Sequence, residues 1–215
     1  MLMFDGLIVL LEMIGVIAFA VSGAVMGIEK EMDIYGVTVL GFTTAVGGGV
    51  LRDVLLGTTP PMMFRDPKYA LVAVIVSVAV FVPSVRRIIM KDKKIYDKLM
   101  LISDSIGLGV FTVTGIQTAN AAYAERNVFL YVFVGVLTGV GGGVMRDLFS
   151  QSRPYIFVKH FYACASMIGA VVCVILWDIA GNAAAMLIGA LCIVMLRLAA
   201  AHFHWKLPKA GEKSL

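Results

Sequence analysis

The heptapeptide Gly47-Gly48-Gly49-Val50-Leu51-Arg52-Asp53 returns as Gly141-Gly142-Gly143-Val144-Met145-Arg146-Asp147. The match reaches beyond the motif. Upstream, Gly41, Thr44 and Val46 recur as Gly135, Thr138 and Val140. Earlier still, Glu12, Ile14, Gly15, Phe19, Val21, Ser22 and Gly23 recur as Asp104, Ile106, Gly107, Phe111, Val113, Thr114 and Gly115. Downstream, Pro61, Phe64, Tyr69 and Ala70 recur as Pro154, Phe157, Tyr162 and Ala163. The chain reads as a duplication, with copies over residues 5–88 and 97–177 and an unduplicated remainder over 183–203.

Composition names the solvent. Of 215 residues, 60% are hydrophobic and 15% charged, against about 25% charged in soluble domains. The apolar residues fall in runs near the roughly 20 residues that span a bilayer as helix. Seven runs are legible: 7–28, 34–57, 68–88, 99–119, 128–150, 160–177 and 183–203. They are long and lack the alternating polarity of barrel strands, so helices are expected. The whole chain, 1–215, reads as one membrane domain. Three helices per copy force the two copies into opposite orientations, an inverted repeat.

The fold class expected is all-α integral membrane, with seven transmembrane helices: two inverted three-helix repeats plus a seventh helix. Basic residues orient it. Arg65, Lys68 and Arg126 fall on the side of the N-terminus. Lys30, Arg86, Arg87, Lys91, Lys93, Lys94, Lys98, Arg153, Lys159, Lys206, Lys209 and Lys213 fall on the other. The basic side faces the cytoplasm, which puts the N-terminus outside and the C-terminus in the cytoplasm. The basic stretch 86–98 reads as a topology signal against anionic headgroups, with no nucleic acid as partner. No basic segment precedes the first run, the only charge before it being Asp5, so that run is expected to be a retained helix.

Little points to catalysis. Cys164, Cys173 and Cys192 lie within apolar runs without metal-ligand spacing. His202 and His204 are two apart and do not share a helix face. No nucleophile–base pair, metal cluster or phosphate-binding loop is apparent. An enzyme is therefore not expected, nor a metal or other cofactor.

The motif sets the chemical question. Three glycines in a helix cost about 1 kcal/mol each relative to alanine, and give backbone freedom or close approach in return. Tight helix packing suits Gly41 and Gly135. For each triplet, followed at once by Arg-Asp, a broken or kinked helix is the favoured reading. Asp53 and Asp147 would then sit in the first turn of a half-helix, where the dipole favours an anion. Arg52 and Arg146 would need a partner. Adjacent residues diverge by about 100°, so a carboxylate on another helix suits them better than Asp53 or Asp147 alone. Locking of helices by these pairs is the alternative.

The first helix of each copy carries a stripe: Glu12, Gly15, Phe19 and Ser22, then Asp104, Gly107, Phe111 and Thr114. The spacing puts each set on one face. Thr44 and Thr138 belong to similar stripes on the second helices. Such stripes either pack or line a path, and a carboxylate near each mouth would attract cations. Glu12, Asp53, Asp104 and Asp147 outnumber Arg52 and Arg146 by two formal charges.

The doubled GGG-x-x-R-D motif on seven runs resembles the prokaryotic branch of the trimeric intracellular cation (TRIC) channel family, over about residues 5–205. The resemblance implies a symmetric homotrimer in the plasma membrane of a prokaryote. It implies an hourglass pore in each protomer, kinked at Gly47–Gly49 and Gly141–Gly143, through which potassium and sodium pass. In animal members the basic positions, here Arg52 and Arg146, are linked with phosphoinositides. The same repeat is also described as glycine-transporter-like. Membrane lipids and permeant cations are thus the implied partners, and a small-solute transporter is the second reading.

Overall fold

A computed structural model describes residues 2–123, 125–158 and 161–205. Ten helices are described: α1 (Leu2–Glu29), α2 (Ile34–Leu55), α3 (Met62–Arg65), α4 (Lys68–Phe81), α5 (Pro83–Lys91), α6 (Lys93–Ala122), α7 (Val128–Phe149), α8 (Tyr155–Val158), α9 (Tyr162–Ala180) and α10 (Asn182–His202). Six of them, α1, α2, α6, α7, α9 and α10, are long and apolar enough to cross a membrane. The protein is an all-helical, multi-pass membrane protein. Its outer surface is apolar where lipid would lie, with Leu10, Ile17, Leu71, Ile75, Ile175 and Leu191 exposed.

The third expected span departs from its straight form. Residues 68–88 divide into α4 and α5, which meet at 68°. Val82 is extended, at φ −50° and ψ 133°, and Pro83 opens α5. Proline disfavours helical geometry in the residue before it and supplies no N–H. The 14 residues of α4 reach only about 21 Å at 1.5 Å per residue, so α4 and α5 together would make a seventh, bent crossing. The fourth span starts earlier than its apolar run, at Lys93, because Asp92 caps it by accepting from the Lys94 N–H at 2.8 Å. Asp33 and Asn127 cap α2 and α7 in the same way. Outside the spans, a hydrogen bond from the Lys68 side chain holds the Asp66 carboxyl below its usual range. His160, Lys159, Lys206, Lys209 and Lys213 lie outside the described residues.

Four helices form the centre. α1 packs on α2 and α6, and α7 closes the ring against both α2 and α6. α4 flanks α1 and α2, while α9 flanks α6 and α7. α10 packs on α6 and α9. The C-termini of α2 and α7 close alike. Thr58 N–H donates to the Asp53 carbonyl and Ser152 N–H to the Asp147 carbonyl, both at 2.8 Å. The residue that turns the chain is left-handed in each, Gly57 at φ 70° and Gln151 at φ 53°. A side chain is disfavoured there by steric contact with the backbone. Gln151→Gly is expected to stabilise the protein by about 0.5–1 kcal/mol. It should appear as a raised unfolding temperature in detergent; an unchanged or lower one would count against this account.

Candidate functional site

The glycine triplets do not break their helices. α2 and α7 run unbroken through Gly47–Gly49 and Gly141–Gly143. This corrects the half-helix expectation. Arg52–Asp53 and Arg146–Asp147 therefore occupy the last turns of long helices, where the dipole disfavours an anion. The cost is offset by direct partners. Asp53 Oδ1 accepts from Arg52 Nε, and its Oδ2 from the Met62 N–H, both at 2.8 Å. Asp147 Oδ1 accepts from Arg146 Nε at 2.8 Å, and its Oδ2 from the Tyr155 N–H at 2.7 Å. Each arginine curls back onto its chain neighbour, a pairing that the 100° divergence argued against.

What the glycines provide is contact. A Cβ on Gly48 would run into the Thr138 carbonyl oxygen, and one on Gly142 into that of Thr44. A Cβ on Gly141 would lie 3.2 Å from the Gly48 Cα. A Cβ on Gly47 would collide with Met145 Sδ. α2 and α7 thus cross backbone to backbone, the approach that small residues permit between membrane helices. The α1 and α6 stripes interlock as well. Phe19 lies over Gly107 and Phe111 over Gly15, and their ring centroids are 5.3 Å apart.

On one side of this aromatic pair lies a first charged cluster. Arg52 Nη1 is 3.8 Å from Glu12 Oε1, and the Tyr69 hydroxyl donates to Glu12 Oε2 at 2.6 Å. Glu12, Gly49, Arg52, Asp53 and Phe111 line a small cavity of about 50 Å³. Two carboxylates there face one guanidinium.

The second cluster is sealed. Arg146 Nη1 donates to Asp104 Oδ1 at 2.6 Å and to Ser22 Oγ. Nη2 sits 2.8 Å from Asp147 Oδ1, out of line for a hydrogen bond. Tyr162 donates to Asp104 Oδ1 at 3.3 Å. Arg146, Asp104 and Asp147 are all 0% exposed. A carboxylate on another helix was expected beside each arginine; Glu12 stands there for Arg52 and Asp104 for Arg146. The sequence reading missed Arg197. It reaches in from α10, with Nη2 3.7 Å from Asp104 Oδ2 and its guanidinium 4.7 Å above the Tyr162 ring. A lone arginine within the last apolar run was the available signal. Two guanidiniums here balance two carboxylates, although Asp104 Oδ2, Arg146 Nη2 and Arg197 Nε lack hydrogen-bond partners among the described residues.

The remaining candidates lie in the packed interior. Ser22, Thr44, Thr114 and Thr138 are fully buried. Thr44 and Thr138 each donate to the carbonyl four residues back at 2.6 Å. Thr114 donates to the Phe111 carbonyl at 3.4 Å.

Fold and clusters together define a multi-pass helical membrane protein with paired ionic sites inside the bundle. A family model described as glycine transporter matches residues 9–84 and 101–178. The UPF0126 inner membrane protein YadS of Escherichia coli K12 is 34% identical, over 92% of this chain and 93% of that protein. YvgT of Bacillus subtilis is 34% identical, over 93% and 94%. Among solved structures, the TRIC channel orthologue from Rhodobacter sphaeroides superposes with a TM-score of 0.84 at 32% identity, over 92% of this chain and 98% of that one. A structure described for conductance through TRIC cation channels superposes with a TM-score of 0.80 at 37% identity, over 96% and 98%. The chain belongs to this family, the prokaryotic branch of the TRIC family, whose matched model carries the description glycine transporter.

Proposed function

We propose that the chain is a monovalent cation channel, passing potassium and sodium through a pore in each protomer of a homotrimer. The carrying observation is the cavity at Glu12, Arg52 and Asp53, where carboxylates exceed guanidiniums at the end of a four-helix ring. A cavity with excess negative charge concentrates cations. The similarity to TRIC cation channels supports the same reading.

The architecture proposed is a single domain, 1–215, with inverted repeats at 5–88 and 97–177 and a seventh helix at 183–203. Two separate matches of one family model support the duplication. The basic-residue bias supports an outer N-terminus and a cytoplasmic C-terminus. A bacterial relative named as an inner membrane protein supports the plasma membrane of a prokaryote.

In this conformation the path is closed twice. The Phe19–Phe111 pair is an apolar plug beneath the cavity. The Arg146 cluster is the second closure, packed without exposure. Conduction requires the rings to part and Arg146 to release Ser22 or Asp104. Glu12 and Asp53 would draw the ion in, while Arg52 sets its depth. Ser22, Thr44, Thr114 and Thr138 would line the opened path, and flexing at the triplets Gly47–Gly49 and Gly141–Gly143 would widen it. Glu12→Gln is expected to lower cation-over-anion selectivity severalfold, read as a smaller reversal potential across a KCl gradient in planar bilayers. An unchanged reversal potential would place the selective step elsewhere.

The second reading, a carrier of glycine or another small solute, rests on the family description and on Arg52 within the cavity. A guanidinium binds carboxylates well, but Glu12 and Asp53 already occupy this one.

A further inference from the structure

We propose that the groove between α5 and the α1–α2 turn binds the phosphate of an anionic phospholipid. The groove holds about 480 Å³ and is lined by Arg86, Arg87, Glu31, Ile28, Met32 and Phe81, among others. Its place in the fold follows from the bend at Pro83. That bend turns α5 68° away from α4 and brings it beside the segment joining α1 to α2. Both segments lie where candidate spans end, after Glu29 of α1 and after Phe81 of α4, which is where lipid headgroups would be met.

Three features suit a lipid phosphate. First, the charge is available. Neither Arg86 nor Arg87 has an ion-pair partner among the described residues, and both are exposed. Against them the lining offers one acid, Glu31. Guanidiniums present paired N–H donors that fit phosphate oxygens. Second, the Arg86 guanidinium lies over the Phe81 ring, 5.2 Å from its centroid, which holds it at the groove wall. Third, α5 ends the bent crossing and is amphipathic, with apolar and basic sides as suits a segment reaching the membrane interface. Ile89 is buried against the protein, Val85 and Ile88 are exposed, and Lys91 lies on the side of the helix away from Ile89. Ile28, Met32 and Phe81 give an apolar wall for the glycerol and first acyl carbons. The free phosphate ion has no use for that wall, and a lipid does.

The site stands apart from Arg52 and Arg146 and does not depend on ion conduction. Native mass spectrometry of the detergent-solubilised protein tests it. Phosphatidylglycerol and phosphatidylcholine with the same acyl chains are the probes, and inorganic phosphate is the competitor. Phosphatidylglycerol should bind about tenfold more tightly than phosphatidylcholine, as expected for a charge-assisted phosphate site. R86Q/R87Q, and R87Q more weakly, should erase that preference without lowering the unfolding temperature. K93Q/K94Q removes the same charge outside the groove and should keep it. The proposal is overturned if R86Q/R87Q retains the preference, or if K93Q/K94Q loses it equally, which would mean diffuse attraction. Displacement of phosphatidylglycerol by millimolar inorganic phosphate would overturn the lipid as occupant.

Discussion

Arg146→Leu is expected to destabilise the protein far more than Arg52→Leu, although the two arginines hold the same place in the repeated motif. Arg146 is 0% exposed and bonds Asp104, Asp147 and Ser22. Its removal leaves two buried carboxylates whose one remaining cationic neighbour among the described residues is Arg197, 3.7 Å from Asp104. Breaking a buried ion pair from one side costs about 3–5 kcal/mol, a large share of a typical stability of about 5–15 kcal/mol. Arg52 lies on a cavity and its link to Glu12 is 3.8 Å long; when the arginine is gone, Tyr69 still holds Glu12 and the Met62 N–H still holds Asp53, the arginine's 2.8 Å partner. A cost of about 1–2 kcal/mol is expected there, near that of one unsatisfied polar group. Unfolding temperatures by size-exclusion chromatography of heated, detergent-solubilised protein would rank the two. Asp104→Asn combined with Arg146→Leu should recover part of the loss, because the stranded charge is what costs. Equal losses for Arg146→Leu and Arg52→Leu would overturn the distinction between a sealed and an open cluster.

The glycines offer the second large effect, with opposite signs at neighbouring positions. Gly48→Ala and Gly142→Ala each push a methyl into a backbone carbonyl of the facing helix. Backbone cannot swing aside as a side chain can, so each should cost about 1–3 kcal/mol by overpacking. The two share one crossing, so their costs should not add. At Gly49 a Cβ meets nothing closer than Arg52 Nη2 at 3.9 Å. Gly49→Ala should therefore stabilise α2 by up to about 1 kcal/mol through helix propensity. Its counterpart Gly143 faces the Tyr162 hydroxyl, 2.7 Å from a built Cβ, and Gly143→Ala should destabilise. Stability curves of the four alanine variants check this pattern. If all four lie together on one side of the parent, the crossing geometry is wrong.

Much of the architecture was legible because the chain says it twice. A heptapeptide repeated with its flanks gave the correspondence of Glu12 with Asp104 and of Arg52 with Arg146; it did not say which helix would supply each arginine's partner. Hydropathy located the spans, since lipid demands runs of apolar residues whatever the fold. Other features were illegible for physical reasons. A row of glycines permits both a break and a close crossing, and only the facing helix decides; here Thr44 and Thr138 offer carbonyls that leave no room for a Cβ. The divergence of adjacent residues ignored the reach of arginine, long enough for Arg52 and Arg146 to fold back on Asp53 and Asp147. Pro83 and Arg197 were visible in the sequence, yet each sat inside a run apolar enough to hide it. Arg197, on the segment outside the two sequence copies, adds to the asymmetry between the clusters, and comparison between the copies could not reveal it.

The central claim, that the chain conducts cations, is tested most directly by a paired flux assay. Purified protein is placed in liposomes at one density, and potassium efflux down a gradient and uptake of labelled glycine are followed in parallel. The account predicts rapid potassium flux that Glu12→Gln diminishes, without saturable glycine uptake. Saturable glycine uptake with no potassium flux would contradict it, and would make the cavity at Arg52 a carrier's substrate site.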